Sequence, residues 1–196
     1  MIFKIPSVLE KNNVTLTVLE NQFENLLTDL ASEKIIWERA KEPYYKPEVF
    51  KEKWLDKAIK QMEEGQRVCF VISWNHKIIG SSSYYEMDLS NKKINIGYTW
   101  FHPSVWGTKV NALSKYMMLE YAFETLKLNR VAFSVDSCNK RSCRSLEKLG
   151  ITCEGTLRNH MVLPDRLRHT VIFSVIHDEW PQMKNNLKDI IERGIN

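Results

Sequence analysis

The run NALSKYMMLEYAFETLK, from Asn111 to Lys127, is apolar on nearly every side, with polar character confined to a stripe at Glu120, Glu124 and Lys127. A helix of that kind must have most of its circumference covered by other elements. The neighbouring sequence supplies strands to cover it. Before the helix, Ile94, Ile96, Tyr98 and Trp100 alternate with Asn95, Gly97 and Thr99, the period of a strand with one buried face. After it, Val131 to Val135 (VAFSV) is a short continuous apolar run that reads as a buried strand.

Further upstream, VCFVISW (Val68 to Trp74) leads through Asn75 and His76 into KIIGSSSYY, a hairpin signal. The turn MDLSNKK then returns the chain to the alternating strand, so a three-stranded antiparallel meander is the economical reading. Val14 to Leu19 alternates as a first strand, with a helix expected over Gln22 to Ala31. Beyond Pro47, Phe50, Trp54, Leu55, Ala58, Ile59 and Met62 recur at helical spacing until Gly65, and their aromatics read as core. On the far side, Asn139 to Leu149 reads as a helix with Cys143, Leu146 and Leu149 inward, closed by Gly150. A hairpin around Pro164 to Arg168, with TVIFSVI as its second strand, and a polar C-terminal helix complete an α+β chain. Its 196 residues show neither repeats nor linkers, which predicts a single domain over residues 1–196.

Composition narrows the function. At 43% hydrophobic and 27% charged the chain has ordinary globular balance, and a net charge of +4 suits a polyanionic ligand such as a nucleotide while falling short of a nucleic-acid groove. Cys69, Cys138, Cys143 and Cys153 form no CxxC pair and read as free thiols of a reducing compartment. His160, His169 and His177 lack paired ligand spacing, so no metal is expected. With neither a signal-peptide pattern nor a membrane-length apolar run, the expected location is cytoplasmic, with no membrane partner.

The segment HPSVWGTKVNALSK joins a strand end to a helix start, where unpaired amides and partial positive charge can hold a pyrophosphate. Neither GxGxxG nor GxxxxGK[ST] is present, which disfavours dinucleotide and ATP sites.

The run from IGYTWFHPSVWGTKVNALSK to RSLEKLG, with EGTLRNHM and RHTVIFSVIHDEWP after it, resembles the GCN5-related N-acetyltransferases, most closely the branch typified by RimJ and RimL. The resemblance implies a mixed, mostly antiparallel sheet, flanked by helices, whose fourth and fifth strands splay apart. Acetyl-CoA would lie in that cleft, its pantetheine arm pairing with the fourth strand as an added strand. On this resemblance the backbone of Trp100, Phe101 and His102 bonds the pantetheine, and Thr108, Lys109, Val110 and Asn111 bind the pyrophosphate. Lys109 and Asn111 stand where the superfamily motif has small residues, while Gly107 belongs to the branch's own WGT-x-x-N version. Asn139 matches an asparagine that contacts the cofactor arm.

Many relatives place a tyrosine acid where this chain has Leu146; the RimL-like branch it resembles instead has a serine at the spacing of Ser142, and that resemblance makes Ser142 the candidate proton donor to the departing thiolate, by its hydroxyl or through a water. Glu86 is the candidate base, with Tyr85 and His102 as alternates; relatives often carry a glutamate at Asn95, so an ordered water chain is a further possibility. The implied reaction is direct acetyl transfer to a primary amine, with a protein N-terminal α-amine favoured and a lysine or a small amine such as a polyamine or aminoglycoside as the other acceptors. An α-amine titrates near pKa 7.7–8.0 and a lysine near 10.4, so the former offers roughly several hundred times more neutral nucleophile at neutral pH. The alternative is a module that binds acyl-CoA without turnover. Homodimerisation through the C-terminal strands is also implied by the branch.

Overall fold

The computed structural model describes residues 5–40 and 42–193. Its strands are β1 (Val8–Lys11), β2 (Val14–Val18), β3 (Arg67–Trp74), β4 (Lys77–Asp88), β5 (Lys93–Phe101), β6 (Arg130–Asp136), β7 (Thr152–Val162) and β8 (Leu167–Ile176). Together they form one sheet in the order β1-β2-β3-β4-β5-β6-β8-β7. Every neighbouring pair is antiparallel except β5 and β6. The β3–β4 hairpin turns at Asn75 and His76, whose φ angles of 48° and 63° are those of a type I′ turn.

Helices cover both faces. On one lie α1 (Glu24–Leu30), α2 (Pro47–Phe50), a π turn (Lys51–Leu55) and α3 (Asp56–Glu63). Their Leu27, Phe50, Trp54, Leu55 and Ala58 pack on Cys69, Val71 and Trp100 of the sheet. The other face carries α4 (Val110–Glu120), extended by a π turn (Tyr121–Thr125), with α5 (Lys140–Lys148) and α6 (Trp180–Arg193). Every residue of α4 except Asn111 and Glu120 is buried, as its apolar circumference requires. Beneath it lie Leu16, Phe70, Ile94, Ile96, Val131 and Phe133.

Three features depart from the sequence reading. β1 was not anticipated: VLEK is short and leaves Val8 and Glu10 exposed, so it carries no apolar period. The C-terminal helix is amphipathic rather than simply polar, because Trp180, Met183, Leu187 and Ile191 at helical spacing are buried.

The third departure positions the site. Ser81 pairs with Trp100 and Ser83 with Gly97, so the single residue Ser82 opposes both Tyr98 and Thr99. This is a β-bulge, and Tyr98 takes a φ of 51° to form it. An extra residue reverses the parity of everything beyond it. The continuous alternation expected from Ile94 to Trp100 is therefore broken. Ile94 and Ile96 enter the core under α4, whereas Trp100 enters the aromatic core on the opposite face.

Candidate active site

The parallel pairing of β5 with β6 consists of Lys93 with Arg130, Ile94 with Val131 and Asn95 with Ala132, and then ends. Beyond it, β5 presents a free backbone edge across a gap from the rest of β6. The bulge lies inside this unpaired stretch, where an inserted residue bends the strand. The amide of His102 donates to the Ile79 carbonyl at 2.8 Å, so it is directed at β4. By the period of an antiparallel ladder the backbone of Trp100 faces β4 as well. Of the three residues expected to line the gap, Phe101 turns its backbone toward it, as does Thr99. The Phe101 carbonyl already accepts the Trp106 indole N–H at 2.9 Å, leaving its amide as the open group.

The chain then reaches α4 through a tight turn. His102 Nδ1 accepts the Ser104 amide and shares a hydrogen bond with its hydroxyl at 2.8 Å, which fixes the ring at the turn. Gly107 has a φ of 76°, and a Cβ there would meet nothing within 4 Å, so backbone freedom is what the position requires. The Thr108 hydroxyl donates to the Val105 carbonyl at 2.7 Å and accepts the Val110 amide at 3.4 Å. Lys109 has φ −69°, and Asn111 lies within α4 with no positive φ. Neither position needs a glycine, and the amides of Asn111 and Ala112 keep the orphan character of a helix start.

A second helix start lies alongside. The Asn111 side chain donates to Ser145 on α5 at 2.8 Å, tying the two helices together. Asn139 caps α5, its Oδ1 accepting the Ser142 amide at 3.1 Å. Ser142 occupies the first turn of α5, and its hydroxyl has no protein partner among the described residues. Leu146 is buried in the core under α4 and offers no proton. Arg141 was not foreseen. Its guanidinium lies 4.0 Å over the Trp106 ring and reaches the Ile36 carbonyl, and burial lowers its pKa. An arginine in the polar string NKRSCR gave no sign that it would bridge three segments.

The proposed base lies at the end of β4. Glu86 is exposed, has φ 48°, and accepts a hydrogen bond from the Asn95 side-chain amide. Its carboxylate therefore reaches the position where relatives often carry a glutamate. Beside it, the Tyr85 ring crosses β5 over Gly97, where any Cβ would come within 2.7 Å of it. Burial first, then Glu86, raise the pKa of the Tyr85 hydroxyl. Held in its protonated form, Tyr85 is a poor alternate base. Glu86, Asn95 and Tyr85 thus form one cluster, while Ser142 stands apart with Asn139. On the same face as α3, a cavity of about 170 Å³ is lined by Trp37, Tyr44, Trp54, Arg67, Tyr98 and Trp100, among others.

The family described as Acetyltransferase (GNAT) domain matches residues 14–152. YdaF of Bacillus subtilis, provisionally named a ribosomal N-acetyltransferase, is 29% identical over 107 residues, covering 55% of this chain and 58% of that protein. The chain spans between 56% and 66% of the length of the curated relatives it matches. Solved structures extend the likeness. A GCN5-related N-acetyltransferase from Brucella melitensis superposes with a TM-score of 0.85 at 25% identity, covering 95% of this chain and 87% of that one. RimJ from Mycobacterium smegmatis, in complex with CoA-disulfide, shares the fold with a TM-score of 0.74 at 17% identity, over 90% and 88% of the two chains. A splayed sheet, a bulged strand beside the gap and a glycine turn into a buried helix are thus accompanied by a family match over most of the chain, which belongs to the GNAT acetyltransferases.

Proposed function

We propose that this chain transfers the acetyl group of acetyl-CoA to a primary amine, with the α-amine at a protein or peptide N-terminus favoured and a small amine as the alternative. The observation that carries this reading is the loss of β5–β6 pairing after Asn95 and Ala132. That gap leaves a strand edge for an extended ligand, and it leads toward the open amides at the start of α4. RimJ of known structure binds CoA as its disulfide, which supports the same occupant here.

The coenzyme supplies an activated thioester; the chain supplies position and protons. The Phe101 amide and the Thr99 backbone orient the arm along β5. The amides of Asn111 and Ala112, with the Lys109 ammonium, hold the diphosphate. In the transfer an N–C bond forms and a C–S bond breaks. One proton leaves nitrogen toward Glu86, directly or through water, and one reaches sulfur from the Ser142 hydroxyl. The same reading includes a homodimer, for which the exposed β7 offers an unpaired edge bearing Leu157, Met161 and Val162, and light scattering is expected to give a dimer mass.

The second reading, a module that binds the coenzyme without turnover, draws on Lys109, Asn111 and Leu146 replacing the usual family residues. The ordinary backbone angles at Lys109 and Asn111 remove two of those objections. Thiol release from acetyl-CoA across a pooled peptide and amine panel, with mass spectrometry for an added acetyl group, separates the two. Coenzyme binding without release for any acceptor would leave the module as the answer.

A further inference from the structure

We infer that the cavity beside the β5 bulge is the acceptor subsite, and that Arg67 there holds a carboxylate belonging to the same residue as the reacting amine. This rests on the transfer reading above and deepens it.

Arg67 opens β3 and is 2% exposed. Its Nε donates to the Ser83 hydroxyl at 2.8 Å, and Nη2 lies 3.7 Å from the Cys69 sulfur, a weak acceptor. The guanidinium carbon sits 4.0 Å from the centre of the Tyr98 ring and 5.2 Å from that of Trp54. Aromatic faces moderate the burial of a cation but do not neutralise it. Among the described residues no carboxylate makes an ion pair with Arg67. A fully buried, permanently charged group without an anion is rare unless one arrives from outside.

A second observation points the same way. Trp100 lines the same cavity, and its indole N–H is buried with no acceptor. Tyr44 lines it too, and burial, with Glu42 nearby, raises its pKa so that its hydroxyl stays protonated. Lys53 and Lys57 complete the polar lining, Lys53 already being paired with Glu42 at 3.2 Å. A cavity this rich in donors is complementary to an oxygen anion.

Size and place define the ligand further. At about 170 Å³ the cavity is well below the ~300–1,000 Å³ of sites for drug-sized ligands, so it admits about one residue. It touches Tyr98, Thr99 and Trp100, part of the stretch of β5 that β6 leaves unpaired. A carboxylate at Arg67 and an amine at the gap therefore belong to one small unit with an apolar body for the aromatic walls. Two sources share this chemistry: the α-carboxylate of a free amino acid, and the side chain of an N-terminal aspartate or glutamate.

The test uses matched pairs with acetyl-CoA: phenylalanine against phenylalaninamide, and an aspartate-initiated peptide amide against its asparagine counterpart. The carboxylate member of one pair should be preferred by about 30-fold in kcat/KM, and that pair identifies the source. In Arg67→Gln the preference should fall to within about threefold, and Arg67→Lys should restore part of it. Retained CoA affinity and a cooperative melt show that the variants fold. Equal use of both members in both pairs overturns the inference and leaves the transferase reading intact. If no acceptor turns over although CoA binds, the transferase reading fails, and calorimetry with the acetylated forms of the same pairs decides the subsite. Carboxylate-selective binding that Arg67→Gln removes would uphold it, and binding indifferent to the carboxylate would end it.

Discussion

Lys115 lies on α4 at 3% exposure, its ammonium 3.0 Å from the Thr99 hydroxyl and 3.5 Å from that of Ser82, with the Phe133 ring 5.9 Å away. No carboxylate among the described residues pairs with it, and burial pulls its pKa down to about 7. In the unfolded chain the same group titrates near 10.4. Between those values the unfolded state binds more protons, so stability rises with pH from about 7 toward about 10 and is lowest, for this group, below pH 7. Lys115→Met should raise stability at pH 6 by about 1–4 kcal/mol and flatten that alkaline rise, as urea melts at pH 6 and pH 9.5 would show. The two hydroxyls are not orphaned by the change, since Ser82 and Thr99 bond each other at 2.8 Å. Ser142 invites a cleaner substitution. Its amide serves the Asn139 cap through the backbone, which alanine keeps. Ser142→Ala should lower kcat by about 100-fold or more while CoA affinity stays within about twofold, read by thiol release and calorimetry.

At the scale of elements, the bulge and the π turn are where local rules yield to the sheet. The Tyr84 hydroxyl donates to the Met118 carbonyl on α4, just before the helix widens into the π turn at Tyr121. Shifted helical pairing of this kind leaves carbonyls in need of other donors. Tyr84→Phe should therefore cost about 1–3 kcal/mol in a denaturant melt, with no change in apolar packing to confuse the result. The bulge makes a different prediction. Gly97→Ala drives a Cβ into the Tyr85 ring, so the ring must leave its place over β5. A stability loss of about 1–3 kcal/mol is expected, together with a larger fall in kcat/KM than Tyr85→Phe causes, because the mouth of the gap moves. Most strands and helices were legible because their apolar periods are long, as in Val68 to Trp74 or Asn111 to Lys127. The bulge was not, because Ile94 to Trp100 shows an unbroken period of two whose parity reverses only where three steps along β5, from Gly97 to Trp100, face two steps along β4. The site divides along the same line. Gly107 belongs to the turn motif, and Asn139 and Ser142 entered as candidates through the family resemblance, whereas Arg67 and Lys115 acquire their meaning from burial and Arg141 from its contacts with Trp106 and Ile36, which single positions in a charged sequence do not announce.

For the molecule as a whole, the gap divides the sheet into β1–β5 and β6–β8, joined by three residue pairs and by the helices packed across them. An extended ligand that bonds the β5 edge and the start of α4 would couple those two parts, and the unfolded chain has no such site. Acetyl-CoA at 100 times its Kd should then add about 2.7 kcal/mol of stability, which for 196 residues corresponds to roughly 5–11 °C in Tm. The location of the effect is as diagnostic as its size. Hydrogen exchange should slow at the amides of Thr99, Phe101, Asn111 and Ala112, while the β1–β2 hairpin, remote in strand order, should exchange as before. Lys109→Glu reverses one charge at the diphosphate end and leaves the backbone intact, so it should weaken CoA by about tenfold without altering which amides are protected. Stabilisation without protection at β5 would place the coenzyme elsewhere on the molecule, and would separate the family's fold from the use proposed for its gap.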